Sequence, residues 1–239
     1  MKYRSAKSKA RPWYKRILFG LLWCVLGLVA LSVLSVLLFR FINPPTSSIA
    51  MQRRAAAWWS NQPYHAEQCW RNLAEIGPNA ALAVIASEDQ RFNQHWGIDV
   101  TELSKAANGK GRKRGASTIT QQLAKNLFLW HDRSYLRKGT EAYFAVLIEL
   151  LWSKPRILEV YLNVVEFGPG VYGVCAGAKR SFRVEPVRLS PYQAALLATT
   201  LPNPHQRFAH APSPQMHRRA SWIVKQMQQL GGASYLAGL

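Results

Sequence analysis

"AVIASEDQRFNQHWGID", residues 83–99, runs an apolar stretch into two adjacent carboxylates, Glu88 and Asp89, then an aromatic ring, a histidine and a glycine. A helix over Ala80 to Phe92 places Val84 and Ile85 one turn before Glu88, and Phe92 one turn after it. A carboxylate on such an apolar wall loses hydration, which raises its pKa toward the working range of a general base. Asp89 shares Ile85 and Phe92 as neighbours, so spacing alone does not choose between the two acids. The plainer reading of the same residues is a pair of acids closing a surface helix.

Acids are scarce elsewhere. The 239 residues carry 31 Lys+Arg against 12 Asp+Glu, a formal net charge of +19, which implies an anionic partner. Residues 1–16 form a basic tail with Lys2, Arg4, Lys7, Lys9, Arg11, Lys15 and Arg16 and no acid. Ile17 to Phe39, "ILFGLLWCVLGLVALSVLSVLLF", then runs 23 residues without a charge. As a helix it spans ~35 Å, enough to cross a bilayer with some tilt. A cleaved signal has a shorter apolar core, about 7–15 residues, and a small-x-small end. Residues 17–39 are therefore expected to be a retained transmembrane helix. The basic tail keeps the N-terminus in the cytoplasm and exports the rest. Nucleic acid is excluded as a partner on that topology.

The exported part keeps 24 basic residues (31 less the 7 of the tail) against all 12 acids. Residues 40–75 read as a linker and membrane-proximal segment, 76–232 as the main domain and 233–239 as a tail. Apolar residues recur mostly at helical spacing, with few alternating runs, so the domain is mainly α. Ser190-Pro191-Tyr192-Gln193 is a capping box with proline at the first helical position, and Ser213-Pro214 opens another helix that Gly231 stops. "YLRKGTEAYFAVLIELLWS" reads as one long helix, and Pro155 begins the next. "KAANGKGRKRGA", Lys105 to Ala116, is basic, contains glycine and has no periodicity, so it reads as a loop. Cys24 lies in the span. Cys69 and Cys175 allow one bridge, but two separate buried thiols fit equally well. No Cys/His spacing suits a metal.

Two further stretches could carry chemistry. In "GASTITQQLAKNLFLWHDRS", Ser117 can cap a helix whose polar stripe is Thr118, Gln121, Gln122 and Lys125, with Ile119, Leu123 and Leu127 inward. Free N–H groups at a helix start, a hydroxyl, amides and a cation suit phosphate, and Arg133 could close over the same anion. The bland alternative is a capped surface helix. "NGKGRKRG" lacks the spacing of a Walker loop. In "RSYLRKGTE", Glu141 falls one turn after Arg137 and Lys138. It is either an ordinary salt bridge within a helix or a carboxylate held charged by two cations beside a phosphate site.

Taken together, these stretches resemble the glycosyltransferase family 51 domain of bacterial cell-wall synthesis. Its signature is E-D-x-x-F-x-x-H-x-G, G-x-S-T-I-T-Q-Q-x-x-K-N, R-K-x-x-E and K-x-x-I-L-x-x-Y-L-N. This sequence has Glu88-Asp89, Phe92, His95 and Gly97, then Gly115 with Ser117 to Gln122, Lys125 and Asn126. Arg137, Lys138 and Glu141 follow, then Lys154, Ile157, Leu158, Tyr161, Leu162 and Asn163. There is no S-x-x-K transpeptidase motif, so the resemblance is to the stand-alone form of the domain.

The resemblance implies a lysozyme-like fold of two lobes with a cleft between. It implies Glu88 as the general base, Glu141 as the second catalytic glutamate, and Lys125 and Arg133 on the donor's pyrophosphate. Phe92, His95, Ser117, Thr118, Gln121, Gln122, Arg137 and Lys138 are expected at the substrate, with Asp89 a positioning neighbour. The implied reaction polymerises lipid II into β-1,4 glycan, with inversion at the donor sugar C1 and release of polyprenyl pyrophosphate. No cofactor is required, although a divalent cation such as Mg could share the pyrophosphate. The implied partners are lipid II, the growing glycan strand, membrane lipids, and cell-division or cell-wall synthesis proteins. The implied location is the bacterial inner membrane, with the catalytic domain periplasmic. Two rivals remain: a lysozyme-like hydrolase or lytic transglycosylase acting on finished glycan, and a non-catalytic division scaffold.

Overall fold

The computed structural model describes residues 13–107, 117–130, 132 and 134–239. The chain divides into an N-terminal unit ending at Ile42 and a compact unit from Asn43 to Leu239. Among its described residues the first unit holds one helix, α1 (Trp13–Phe41), 29 residues long. It contains the expected 17–39 span and is long and apolar enough to cross a membrane. Residues 1–12 of the basic tail, and most of the Lys105 to Ala116 loop, lie outside the described residues.

The second unit is mainly helical, as its apolar spacing predicts. α2 (Ser48–Trp59) and the four-residue α3 (Leu73–Ile76) come first. Residues 43–75 are thus not a linker but part of the compact unit. Ser48 donates its hydroxyl to the Asn126 and Leu129 carbonyls at 3.0 and 2.6 Å, and the Gln52 amide donates to Leu129 O at 2.8 Å.

α4 (Pro78–Glu88) is the centre of the core, with every residue from Ala80 to Ala86 buried. Pro78 opens it at a position where no helical N–H is needed. Four of those seven residues are alanine. Their short side chains admit α10 (Pro191–Ala198), itself alanine-rich, and α11 (Pro214–Gln229) as close neighbours.

A second group of helices packs beside this core. α5 (Val100–Ala107) takes in Lys105 to Ala107, so the stretch expected as a loop begins instead as the last turn of a helix. α6 (Ile119–Phe128) lies against α7 (Tyr135–Leu151) and α8 (Lys154–Val164), and α9 (Gly173–Phe182) lies against α8.

The expected capping box of Ser190 and Gln193 is formed in full, and Ser213 caps α11 by accepting from Met216 N–H. The segment 233–239, expected as a tail, instead holds α12 (Ala233–Ala237). Its Tyr235 hydroxyl donates to Asn93 Oδ1 at 3.0 Å, so the chain end clamps the loop that follows Glu88 and Asp89.

Three short strands, β1 (Glu67–Gln68), β2 (Glu166–Gly168) and β3 (Val171–Tyr172), form a sheet in the order β1-β3-β2. β1 is parallel to β3, with Glu67 opposite Val171, and β2 is antiparallel to β3. Asn163, at the end of α8, extends this pairing with its side chain. It accepts from Arg71 N–H at 2.9 Å and donates to Arg71 O at 2.8 Å. Gly173 crosses closely above, at φ +81°, where a Cβ would lie 2.7 Å from the Asn163 carbonyl oxygen.

Cys69 and Cys175 are joined in a disulfide across this region, which settles the pairing that their sequence spacing left open. The bridge closes a sequence separation of 106 residues. Replacing both cysteines with alanine should cost about 2–5 kcal/mol of stability, a fall in melting temperature on the order of 5–15 °C. Thermal melts of the detergent-solubilised chain, with and without reductant, measure this. An unchanged melting temperature would show that the bridge does not constrain the fold.

Candidate active site

Glu88 is the last residue of α4, and Asp89 is the residue that caps it. The helix expected over Ala80 to Phe92 therefore stops four residues early, and the two acids face different surroundings. Asp89 is buried. Its Oδ2 accepts Ile119 N–H, the first of α6, at 3.0 Å. His95 Nε2 donates to the same carboxylate, 2.9 Å from Oδ1 and 3.0 Å from Oδ2. A carboxylate at a helix start is favoured by the orphan N–H groups and by the helix dipole. Asp89 thus ties the end of α4 to the beginning of α6.

This arrangement alters one expectation. A phosphate seat at the α6 terminus requires free N–H groups there. In the structure Ile119 N–H is taken by Asp89, and Gln121 N–H by the Thr118 hydroxyl at 3.1 Å. The helix cap is Thr118 rather than Ser117, and Gln121 completes a capping box by accepting Thr118 N–H at 3.1 Å. Thr118 also donates its hydroxyl to Gly97 O at 2.6 Å. Gly97 is at φ +81°, and a Cβ there would come within 3.0 Å of the Ala145 carbonyl oxygen on α7. Only glycine lets this turn sit so close to α7.

Glu88 itself is half-buried and faces a cleft of ≈ 1490 Å³. Ser87 donates to its Oε1 at 2.9 Å, and Gln122 Nε2 donates to its Oε2 at 3.1 Å. The apolar wall inferred from the sequence is not what these oxygens touch. Val84, Ile85 and Phe92 are buried in the core, and Phe92 lies under the Lys154 ammonium, 4.5 Å from its ring centroid.

The same cleft holds Lys125, Arg137, Lys138 and Glu141. Glu141 is buried on α7. It accepts from Arg137 Nη1 at 2.6 Å and from Lys138 Nζ, so the two cations read from "RSYLRKGTE" both pair with it. Lys138 donates in addition to Ser117 Oγ at 3.1 Å. Lys125, one turn along α6 from Gln122, makes no ion pair among the described residues. Burial lowers its pKa below the ordinary lysine value. Glu141 and Glu88 act to raise it, and Arg137 and Lys138 to lower it. One cleft therefore contains a carboxylate held by neutral donors and, beside it, three cations grouped around a second carboxylate.

A model of the transglycosylase family matches residues 55–228. The chain belongs to the transglycosylase family. Among its relatives are proteins named biosynthetic peptidoglycan transglycosylase. That of Chromohalobacter salexigens is 51% identical over 232 residues, 96% of this chain and 99% of the relative. That of Pseudomonas syringae pv. syringae is 50% identical over 228 residues, 94% and 95% of the two chains. That of Stutzerimonas stutzeri is 47% identical over 225 residues, 93% of each. The transglycosylase domain is lysozyme-like, in keeping with the helical fold described above. The match begins at residue 55, so it takes in only the last five residues of α2.

Of the expected site residues, Glu88, Asp89, Ser117, Thr118, Gln122, Lys125, Arg137, Lys138 and Glu141 line the cleft. Phe92, His95 and Gln121 do not. Phe92 is core, His95 serves Asp89, and Gln121 serves the α6 cap, so they support the wall without facing substrate space. Arg133 lies outside the described residues. The opposite wall was not read from the sequence. Asn203, Gln206 and Arg207 after α10, and Gln215 and Arg219 on α11, complete the cleft. The polar turn "LPNPHQRF" was the available signal, since a cluster of amides and a guanidinium after a capped helix has no core role. Arg219 reaches back to donate to the Ser87 carbonyl at 3.3 Å.

The charges around Lys125 can be tested by titrating its ammonium group by NMR. Its midpoint is expected below that of an ordinary lysine. Glu141→Gln removes a charge that stabilises the cation and should lower the midpoint further, whereas Arg137→Gln should raise it. A midpoint indifferent to both substitutions would contradict this arrangement.

Proposed function

We propose that the chain is a peptidoglycan glycosyltransferase that polymerises lipid II into β-1,4 glycan, with Glu88 as general base. The observation that carries this reading is the division of one cleft into a carboxylate with neutral donors and a cluster of three cations. A sugar hydroxyl is a poor nucleophile and needs a base to take its proton as it attacks. On this reading Glu88 removes the proton of the acceptor's 4-OH while the oxygen forms its bond to C1 of the donor. The C1–pyrophosphate bond breaks from the opposite face, so an α-linked donor gives a β-linked product.

The leaving group departs as the anion of a fairly strong acid, so it requires positive charge rather than a proton. Lys125, Arg137 and Lys138 meet that need by electrostatic stabilisation. Arg133 joins them by the family resemblance. A hydrolase working on finished glycan would instead need a carboxylic acid to protonate a sugar leaving group. Glu141, paired with two cations, is poorly suited to that role and well suited to ordering them before pyrophosphate arrives. The chemistry needs no resident cofactor; a divalent cation such as Mg, arriving with the substrate, would add to the charge that Lys125, Arg137 and Lys138 supply to the pyrophosphate.

We further propose that α1 anchors the chain in the inner membrane with the basic tail cytoplasmic and the catalytic domain periplasmic. The Cys69–Cys175 disulfide supports the oxidising side of the membrane for that domain. Contact with membrane lipids is supported by the exposed Val100, Leu103, Tyr143, Val146 and Leu150, the last three beside a shallow apolar groove of ≈ 390 Å³.

Glu88→Gln keeps the size of the side chain and one of its two accepting oxygens but removes the base. Lipid II polymerisation by the purified variant is expected to fall by about 10²–10⁴-fold or to vanish, with the melting temperature unchanged. Near-normal glycan synthesis by that variant would sink the assignment.

A further inference from the structure

Two hydrogen bonds in series run from the interior of the domain to the Glu88 carboxylate. Tyr161, on α8 and fully buried, donates its hydroxyl to Gln122 Oε1 at 2.7 Å. Gln122 Nε2 then donates to Glu88 Oε2 at 3.1 Å. The direction of this chain follows from the chemistry of its ends. An ionised carboxylate only accepts, so the amide must turn its NH₂ toward Glu88, which leaves its carbonyl oxygen in need of a donor. The phenol is suited to be that donor. Burial, with the negative charges of Glu88 and Asp89 adding to it, holds the Tyr161 pKa well above its ordinary value, so the hydroxyl keeps its proton.

Gln122 is half-buried on the cleft wall, and the terminal torsion of a glutamine is broad and roughly two-fold. Without a fixed partner at Oε1 the amide can swing or invert, and an inverted amide sets an oxygen against the carboxylate. Tyr161 does not line the cleft, so any effect it has on the reaction passes through another residue.

We propose that Tyr161 is a positioning residue for the transfer. Through Gln122, and with Ser87 on the other oxygen, it fixes the plane of the Glu88 carboxylate so that the remaining lone pairs face the acceptor hydroxyl. The proposal rests on Glu88 being the base. A misplacement of about 1 Å in a reacting group can cost on the order of 10²-fold in rate. Loss of the lock without displacement of the backbone is expected to cost roughly tenfold.

The test is a double-mutant cycle on the full-length protein with lipid II as substrate. Tyr161→Phe removes only the hydroxyl, and Gln122→Met keeps side-chain length but has no amide. Tyr161→Phe is expected to lower kcat roughly tenfold with KM within about twofold of wild type. In the Gln122→Met background the same change is expected to do nothing more. A Tyr161→Phe effect of equal size in both backgrounds would mean that the residue acts through packing, and would overturn the proposal. So would an unchanged kcat, or a loss confined to KM. Should Tyr161→Phe fail to fold, Gln122→Met alone decides: a fall in kcat supports the lock, and full activity overturns it. Glu88→Gln separates this proposal from the reading beneath it. If that variant still polymerises lipid II, the base assignment fails. If it is dead while Tyr161→Phe runs at full kcat, only the positioning role fails.

Discussion

The Asp89 carboxylate is the constraint on which the rest of the site depends. It sits where α4 ends and accepts from the first N–H of α6 and from a buried histidine. Those contacts span separations of 30 and 6 residues, so neither helix end is placed by its own sequence alone. With Asp89 in position, Glu88 is left at the lip of the cleft, and α6 runs away from it with Gln122 and Lys125 along the cleft wall. Removing Asp89 would leave two buried donors unpaired, and an unpaired buried polar group costs about 1–3 kcal/mol. The adjacent acids of the opening stretch have separate tasks: one holds the helices together and the other faces the substrate space.

Charge is organised around this joint in two ways. Among the described residues Glu88 accepts from uncharged donors, whereas Glu141 is enclosed by Arg137 and Lys138. A carboxylate paired with two cations is committed to them, while one held by an amide and a hydroxyl is oriented yet free to take a proton. That difference, set by which helix face each acid occupies, distinguishes the two glutamates more sharply than their sequence neighbourhoods do. It also explains why a family with a lysozyme-like fold need not behave as a hydrolase. Where a glycosidase protonates its leaving group, a cluster of cations such as Lys125, Arg137 and Lys138 can stabilise a departing pyrophosphate.

Local signals in the sequence carried much of the helical architecture. The starts of α10 and α11 were legible because Ser190-Pro191 and Ser213-Pro214 satisfy helix N–H groups within the first turn. The long α7 and the beginning of α8 followed from apolar spacing and Pro155. What escaped was non-local. The cap of α6 shifted from Ser117 to Thr118 because the Thr118 hydroxyl also reaches Gly97, 21 residues away. The strands, two or three residues each, are too short to leave an alternating pattern. The disulfide joins cysteines 106 apart and has no spacing rule. Within the site, Glu88, Lys125, Arg137, Lys138 and Glu141 were legible as candidates, and all five line the cleft. The far wall from Asn203 to Arg219, and the support given by Ser87 and Tyr161, emerge only when α4, α6 and α11 meet at one cleft and α8 packs against α6.

The central claim is that this cleft transfers a lipid-linked sugar rather than cutting finished glycan. The most direct measurement supplies the purified full-length protein with lipid II in one reaction and isolated cell-wall sacculi in another, then analyses the products. The account predicts a β-1,4 glycan polymer from lipid II, with one polyprenyl pyrophosphate released for each bond formed, and intact sacculi. Soluble fragments released from sacculi, with no polymer from lipid II, would contradict it.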